Sequence, residues 1–525
     1  MINKEPTNQQ KSPEIIATNV SLEAERKVVS DTTAKKTKAT IKKPIIPIEK
    51  PKKVLIVAAE CAPFAKTGGL ADVIGTLPQE LVGLNIDARV ILPFHRIIKN
   101  KYSTKTEHIT DFYIRLGWRT VYVGIERLVK DSVTYYFIDN EGYFGDNIYR
   151  GGTQEIEQYA FFCRAVMESI QQIGFIPEVM HLNDWQTGMI PLLLKTQYNY
   201  TSLANIKTVF TIHNIMYQGM CGFEQLEDLL SIPKTFNTPK FVESNGCANF
   251  MKTGLVFSDK INTVSPTYAQ EIKSPFYSYG MEGILNARAA QTVGIINGID
   301  TTEFDPQNDK YVNHPFSADD LSGKELNKKE VMEKYGLEYK KGRPLIGIVS
   351  RLTSQKGFDL IMYVFHNIMR LDVSLLLLGT GDVQYENFFR TCEAHYKGRV
   401  CSYIGYDNAV AHEIYASSDL FLMPSKFEPC GISQMISLRY GTIPIVRETG
   451  GLKDTVTPFN EFTGEGNGFS FKNYNAHEML EIVKYALRCM SEDEKRHKLV
   501  CNAMNCDNSF RLSAMKYKEL YLSLL

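Results

Sequence analysis

Three short segments carry residue types that could do chemistry together. The first runs Glu60-Cys61-Ala62-Pro63-Phe64-Ala65-Lys66-Thr67-Gly68-Gly69-Leu70-Ala71-Asp72. Adjacent glycines let backbone approach a ligand closely, and the residues Val73 to Leu81 pattern as a helix whose start attracts anions. Lys66 adds a positive charge beside Gly68 and Gly69. These types suit a phosphate or carbohydrate anchor, with a glycine turn for close packing as the plain alternative. The segment is neither a Walker loop nor a G-x-G-x-x-G fingerprint. In the second segment, Ile348 to Gly357, Arg351 and Lys356 sit five residues apart after an apolar run. Two fixed cations suit a diphosphate whose charge grows as it departs. Solvated surface cations are the alternative. The third segment, Pro424 to Gln434, places Glu428 just before a helix expected over Ile432–Tyr440. The amides of Cys430 and Gly431 could donate to sugar hydroxyls or phosphate oxygens. A simple capping role for Glu428 is the alternative.

Strands must position these loops. From Lys53 onward, short β-branched runs alternate with longer helical stretches. Expected strands are Val54–Ala59, Ala88–Leu92, Val133–Ile138, Val179–Leu182, Thr208–Ile212, Ile261–Val264 and Val293–Ile296, then Leu345–Val349, Leu375–Leu378, Val400–Ile404, Leu420–Met423 and Ile443–Val446. Several are apolar on both faces, as parallel strands covered by helices are. The alternation implies βαβ units and doubly wound sheets. The expected fold is α/β, with two Rossmann-like domains facing across a cleft. They join near Asn297-Gly298-Ile299-Asp300, and a polar stretch, Thr301–Lys341, follows. Open α/β sheets bind ligands at the carboxyl ends of their strands, so the site belongs between the domains.

Length and charge set outer limits. At 525 residues the chain exceeds what one hydrophobic core supports. Net charge is zero, which argues against nucleic acid as a partner. No apolar run is long enough to span a membrane. Ten cysteines are scattered with no C-x-x-C pair, which reads as reduced thiols and a cytoplasmic setting rather than a metal site. Residues 1–53 hold twelve Lys/Arg against six Asp/Glu and no apolar core of a secretory signal. The tract Lys35–Lys53 has no aromatic residue, so 1–52 is expected to be a disordered basic tail.

The combination Lys66-Thr67-Gly68-Gly69-Leu70, Ser350–Gly357 and Glu428-Pro429-Cys430-Gly431 resembles the bacterial glycogen synthases and plant starch synthases. Supporting segments in the same order include His181–Gln186, Thr211–Asn214, Val264–Tyr268, Tyr279–Gly283 and Thr449–Leu452. The resemblance covers about residues 53–525. It implies the GT-B fold, with an acceptor domain over 53–297, a nucleotide-sugar domain over 298–507, and a last stretch, 508–525, returning to the first domain. It further implies glucose transfer from ADP-glucose to an α-1,4-glucan with retained configuration, with no cofactor and no metal. By the same resemblance, Lys66 binds the sugar nucleotide while Gly68, Gly69 and Asp72 shape that wall. Arg351 and Lys356 hold the diphosphate, and Tyr406 stacks on the base. Asp184, His213 and Asn297 surround the donor glucose. Glu428 contacts it beside the amides of Cys430 and Gly431. Alone, His213 would read as a core histidine and Asp184 as a cap for a helix beginning near Trp185.

The chain departs from the family pattern at several points. Gln186 stands where His is common, Thr253 where Gly is usual, and Phe510 where Trp is expected. Asn140–Asp146 is altered in a way expected to change a substrate-side loop. Two rival functions remain at this point. One is a non-catalytic glucan-binding homologue. The other is a nicotinamide dehydrogenase suggested by Gly379-Thr380-Gly381-Asp382, for which the rest of the fingerprint is missing.

Overall fold

The computed structural model describes residues 50–525. The expected basic tail lies outside the described residues except at its end, where Lys52 already belongs to the first strand.

Twelve strands form the first half. They are β1 (Lys52–Val57), β2 (Ile86–Pro93), β3 (Glu107–Leu116), β4 (Arg119–Lys130), β5 (Val133–Asp139), β6 (Val179–Asn183), β7 (Lys207–Ile212), β8 (Met220–Cys221), β9 (Glu243–Ser244), β10 (Cys247–Asn249), β11 (Lys260–Thr263) and β12 (Thr292–Gly294). Nine of them make one sheet in the order β12-β11-β7-β6-β1-β2-β5-β4-β3, while β8, β9 and β10 form a small separate sheet. Around β1 all pairings are parallel, and Val54 to Val57 have no exposed surface. That is why the continuous apolar runs were legible as buried strands.

The hairpin β3–β4 was not expected. It pairs antiparallel through the two-residue turn Gly117-Trp118, and Gly117 takes a positive φ of 61°. Its outer face is wet and charged, so it lacks the apolar run that marks its neighbours. The strand expected at Val293–Ile296 is shorter and earlier, at Thr292–Gly294.

The second half holds β13 (Leu345–Val349), β14 (Ser374–Gly379), β15 (Val400–Ile404), β16 (Leu420–Met423), β17 (Ile443–Arg447) and β18 (Phe469–Phe471). Their order is β15-β14-β13-β16-β17-β18, with every pairing parallel. This is the doubly wound order, and its direction reverses between β13 and β16. In the first sheet the reversal falls between β1 and β6. Loops leaving those four strands therefore open crevices, and they include all three segments singled out above.

The chain passes between the halves twice, side by side. Ile299 N–H donates to the Asn508 carbonyl at 2.8 Å, and Phe510 N–H donates to the Ile299 carbonyl at 3.3 Å. A Cβ on Gly298 would lie 2.3 Å from the Phe510 nitrogen, so glycine is required by this close crossing. The final helix, Phe510–Leu522, packs on the helix Gly69–Val82 of the first half. It buries Tyr517 and Tyr521 completely, where Asn262 donates to the Tyr517 hydroxyl at 2.9 Å and the Tyr521 hydroxyl meets His181 Nδ1 at 2.8 Å.

Candidate functional site

The two reversal points line one cavity of about 690 Å³. Gly68, Gly69, Asp72, Asp184 and His213 reach it from the first half; Arg351, Lys356, Glu428, Cys430 and Gly431 reach it from the second, and Asn297 from the crossing. Lys66 and Tyr406 do not line it.

The loop after β1 is tied down by Glu60, which is 3% exposed. Its carboxylate accepts from Thr67 N–H at 2.5 Å, from the Thr67 hydroxyl at 2.9 Å and from the Tyr149 hydroxyl at 3.0 Å. Burial raises this carboxyl above its ordinary range even against those donors. Gly68 follows in an extended conformation that any residue adopts, at φ −159°. A Cβ there would meet no protein atom within 4 Å, and one on Gly69 would only touch Ile432 at 3.5 Å. Neither packing nor backbone strain explains glycine at 68. The space in front of it is cavity. Lys66 sits outside the lining, half-exposed and paired with Asp72 at 2.6 Å. Burial pulls its ammonium down, but Asp72, with Tyr406 and Glu303, outweighs that and holds it above its ordinary value. Burial raises the Asp72 carboxyl, and Lys66 partly opposes the rise.

Asp184 leaves β6 with φ +56°, a conformation rare for a residue with a side chain. It does not cap the short helical turn Trp185–Thr187. Its Oδ1 instead accepts N–H bonds from His213 at 2.7 Å and Asn214 at 3.3 Å, which fixes the loop after β7. Burial pushes this carboxyl up to about 7, the two N–H donors pull it back, and the nearby charge of Glu60 adds to the rise.

His213 is no inert core residue, since it lines the cavity. Burial lowers it to about 3, so the ring is neutral. Its Nε2 meets Asn183 Oδ1 at 2.9 Å, while Asn183 Nδ2 already donates to two carbonyls. The network therefore puts the imidazole proton on Nε2 and leaves Nδ1 as an acceptor. Two further acceptors at the cavity, Asn297 Oδ1 and Gln186 Oε1, are buried with no partner among the described residues. Buried polar atoms ordinarily find partners, so these two oxygens are open to a donor that enters the cavity.

On the opposite wall, Gly357 at φ +77° lets the loop after β13 press on the loop after β16. A Cβ there would lie 2.1 Å from the Pro424 carbonyl. Lys426 N–H donates to the Gln355 carbonyl across the same contact, at 2.8 Å. This sets Lys356 Nζ 2.6 Å from Glu428 Oε2, which the Ser425 hydroxyl also reaches at 3.1 Å. Glu428 is 6% exposed and does not act as a cap. Arg351 is exposed to the cavity and forms no ion pair with any described residue. The N–H groups of Cys430 and Gly431 find no acceptor among the described residues. Tyr406 is 78% exposed.

Sequence reasoning missed Glu60, Tyr149, Glu155, Trp185, Asn214 and Tyr217 as cavity residues. Glu60 had a signal, being the acid at the end of an expected strand. Tyr149 and Glu155 had none, because they precede and open a helix, Gly152–Gln172, far from any strand end. None of the residues of the altered loop Asn140–Asp146 lines the cavity. Lys99 pairs with Glu141 at 2.9 Å, and Tyr143 stacks on Phe161 at 4.4 Å.

Residues 53–287 match the starch synthase catalytic domain, and residues 330–505 match the glycosyl transferases group 1 domain. A glycogen synthase of Geobacillus thermodenitrificans is 48% identical over 474 residues, spanning 90% of this chain and 98% of its own. The chain belongs to the glycogen and starch synthase family. Another relative, a glycogen synthase of Clostridioides difficile, is 48% identical over 475 residues, 89% of this chain and 99% of its own. The catalytic domain of starch synthase IV from Arabidopsis thaliana, solved with ADP and acarbose, superposes with a TM-score of 0.84 at 32% identity. That match covers 90% of this chain and 99% of the plant domain. The fold is therefore GT-B, and the activity is that of a glycosyltransferase in glycogen and starch synthesis. The cavity is divided by wall. One wall offers cations and free amides, and the other offers a neutral imidazole, amide oxygens and a carboxyl poised near neutrality.

Proposed function

We propose that this protein transfers glucose from ADP-glucose to the non-reducing end of an α-1,4-glucan with retention of configuration. The observation that carries this reading is the single cavity in which Arg351 and Lys356 from one half face Asp184, His213 and the open space before Gly68 from the other. The second half takes the nucleotide: Arg351 and Lys356 hold the diphosphate with the amides of Cys430 and Gly431, and the exposed Tyr406 ring offers a face to the base. Lys66 reaches the donor from the rim. The first half takes the glucan. Asp184, His213 and Asn297 hold glucose hydroxyls, and Glu428 supports the sugar.

In the reaction the bond from the anomeric carbon to the diphosphate oxygen breaks. The bond to the acceptor 4-oxygen forms on the same face. The departing phosphate takes the hydroxyl proton. Cations placed before the reaction stabilise the growing negative charge without reorganising. The reading assigns that charge to protein cations and assigns no metal. A cytoplasmic setting suits ten cysteines that are all free thiols.

The test uses the full chain with ADP-glucose or UDP-glucose and a maltooligosaccharide acceptor. Expected are ADP release and chain extension, with ADP-glucose preferred. Folded protein that does neither would overturn the reading.

A further inference from the structure

The loop after β16 carries Glu428, and its backbone is held from outside. Every carbonyl from Ser425 to Gly431 accepts a hydrogen bond. Arg447 Nη1 donates to that of Ser425 at 3.4 Å and to that of Lys426. Gln355 Nε2 donates to the Phe427 carbonyl at 3.3 Å. Gly451 N–H donates to the carbonyls of Glu428 and Pro429, both at 3.2 Å. Gln434 Nε2 donates to the last two, Cys430 and Gly431, at 3.2 and 3.0 Å. Arg447 and Gly451 thus hold four of the seven, and both belong to one short stretch at the end of β17. The packing there is backbone on backbone. A Cβ on Gly450 would lie 1.9 Å from the Glu428 carbonyl, and one on Gly451 would lie 2.2 Å from the Cys430 carbonyl.

The same stretch is gripped from the first half. Arg447 Nη2 donates at 3.2 Å to the hydroxyl of Tyr277, in the helix Pro275–Ser278. The Glu271 carboxylate accepts from the Thr449 hydroxyl and from Gly450 N–H. Arg447 is buried, with its guanidinium carbon 5.8 Å from the centre of the Tyr474 ring. One planar guanidinium therefore joins two carbonyls of the Glu428 loop to a hydroxyl of the opposite half. Its rigid fork fixes all three at once, which an ammonium on a flexible stem does not. The consequence reaches the cavity through Ser425. Its hydroxyl donates to Glu428 Oε2, the oxygen that also meets Lys356, so a shift of the Ser425 backbone moves that pair.

We propose that Arg447 is a positioning residue that makes the placement of Glu428 and Lys356 depend on contact with the first half at Tyr277. This rests on the reading of Glu428 as support for the donor sugar. The test uses the full chain. Tyr277→Phe keeps the ring and removes the hydroxyl. It is expected to lower kcat for transfer from ADP-glucose to maltoheptaose about fivefold, the size of one hydrogen bond, while either KM moves less than about twofold. Arg447→Lys is expected to lower kcat about thirtyfold. Because Tyr277 acts through Arg447, the double variant should fall no more than about twofold below Arg447→Lys alone. Hydrogen exchange reads the loop without turnover. Lys426 N–H is bonded to the Gln355 carbonyl, and Tyr277→Phe should speed its exchange about fivefold while β1 and β13 are unchanged. If wild type transfers no glucose and the exchange result holds, the reading of the site has failed and the positioning contact stands. The proposal is overturned by an active enzyme whose kcat Tyr277→Phe leaves unmoved, or by losses that multiply in the double variant. It is overturned equally by Lys426 exchange that is unmoved, or that speeds only as part of an even rise across both halves.

Discussion

Asp184 should cost the fold stability at neutral pH, and Asp184→Asn should return it. The carboxyl moves from an ordinary 3.8 to about 7 because burial disfavours its charged form. That displacement corresponds to about 4 kcal/mol. Asp184 borders an open cavity, so solvent screens part of the penalty and about 2 kcal/mol is the expected size. The sign follows from which state holds the proton. Below the unfolded value both states are protonated, and the residue costs nothing. From about pH 4 to about pH 7 the unfolded chain ionises first, so stability falls as pH rises. Above about 7 the full cost is present. Asparagine keeps the oxygen that accepts from His213 and Asn214 but carries no charge. Urea unfolding of both proteins from pH 5 to pH 8 should show the variant gaining about 1 to 2 kcal/mol on wild type across that range, while its glucan extension drops. A gap that stays constant with pH, or a variant less stable at pH 8, would refute the assignment of burial as the cause.

Gly68→Ala should fold with stability within about 0.5 kcal/mol of wild type, since its Cβ meets no protein atom, yet lose at least about tenfold in kcat/KM for ADP-glucose. Thermal melting and initial rates check the two halves of that statement. Lys356→Met leaves the buried Glu428 carboxylate without its cation and should destabilise by about 3 kcal/mol; adding Glu428→Gln should restore stability in urea unfolding without restoring turnover. Glu271 accepts from the Thr449 hydroxyl at 2.9 Å and from Gly450 N–H at 3.1 Å across the cleft. Glu271→Gln should weaken that bridge by about 1 kcal/mol, lowering kcat/KM and enlarging the radius of gyration in X-ray scattering, with both halves still folded.

The loops that matter were legible because a physical rule places them. Apolar runs such as Val54–Val57 and Leu375–Leu378 announce buried parallel strands, and ligands gather where such strands end. Strand order was not legible, since nothing local in β1 says that β6 will lie beside it. The β3–β4 hairpin escaped notice because charged residues interrupt its apolar ones on a wet face. Chemistry was harder to read than position. The spacing of Arg351 and Lys356 was visible, but the contact of Lys356 with Glu428 needs Gly357 against Pro424, a meeting 67 residues apart in the chain. For Gly68, packing and ligand approach could be separated only by asking what a Cβ would touch. Tyr217 has no signal in the sequence at all.

In the proposed function Lys66 couples the two halves. It is held by Asp72 at 2.6 Å and does not line the cavity, so engaging a pyrophosphate means exchanging one anion for another. Such an exchange needs Lys66 and the pyrophosphate to approach each other, which calls for small movements. The architecture permits those movements. Both passages of the chain between halves lie side by side at Ile299 and Ser509, forming one pivot, while the last helix keeps its anchor on the first half through Tyr517 and Tyr521. Away from the pivot, Thr267 with Asp454, Glu271 with Gly450, and Arg447 with Tyr277 are polar bridges between the halves. Polar bridges of this kind open readily. A donor that touches Arg351 and Lys356 on one side and draws Lys66 from Asp72 on the other adds its binding energy to the closed form alone. On the proposed function, closure is then a consequence of donor binding, and water leaves the cavity when the sugar is in place to react.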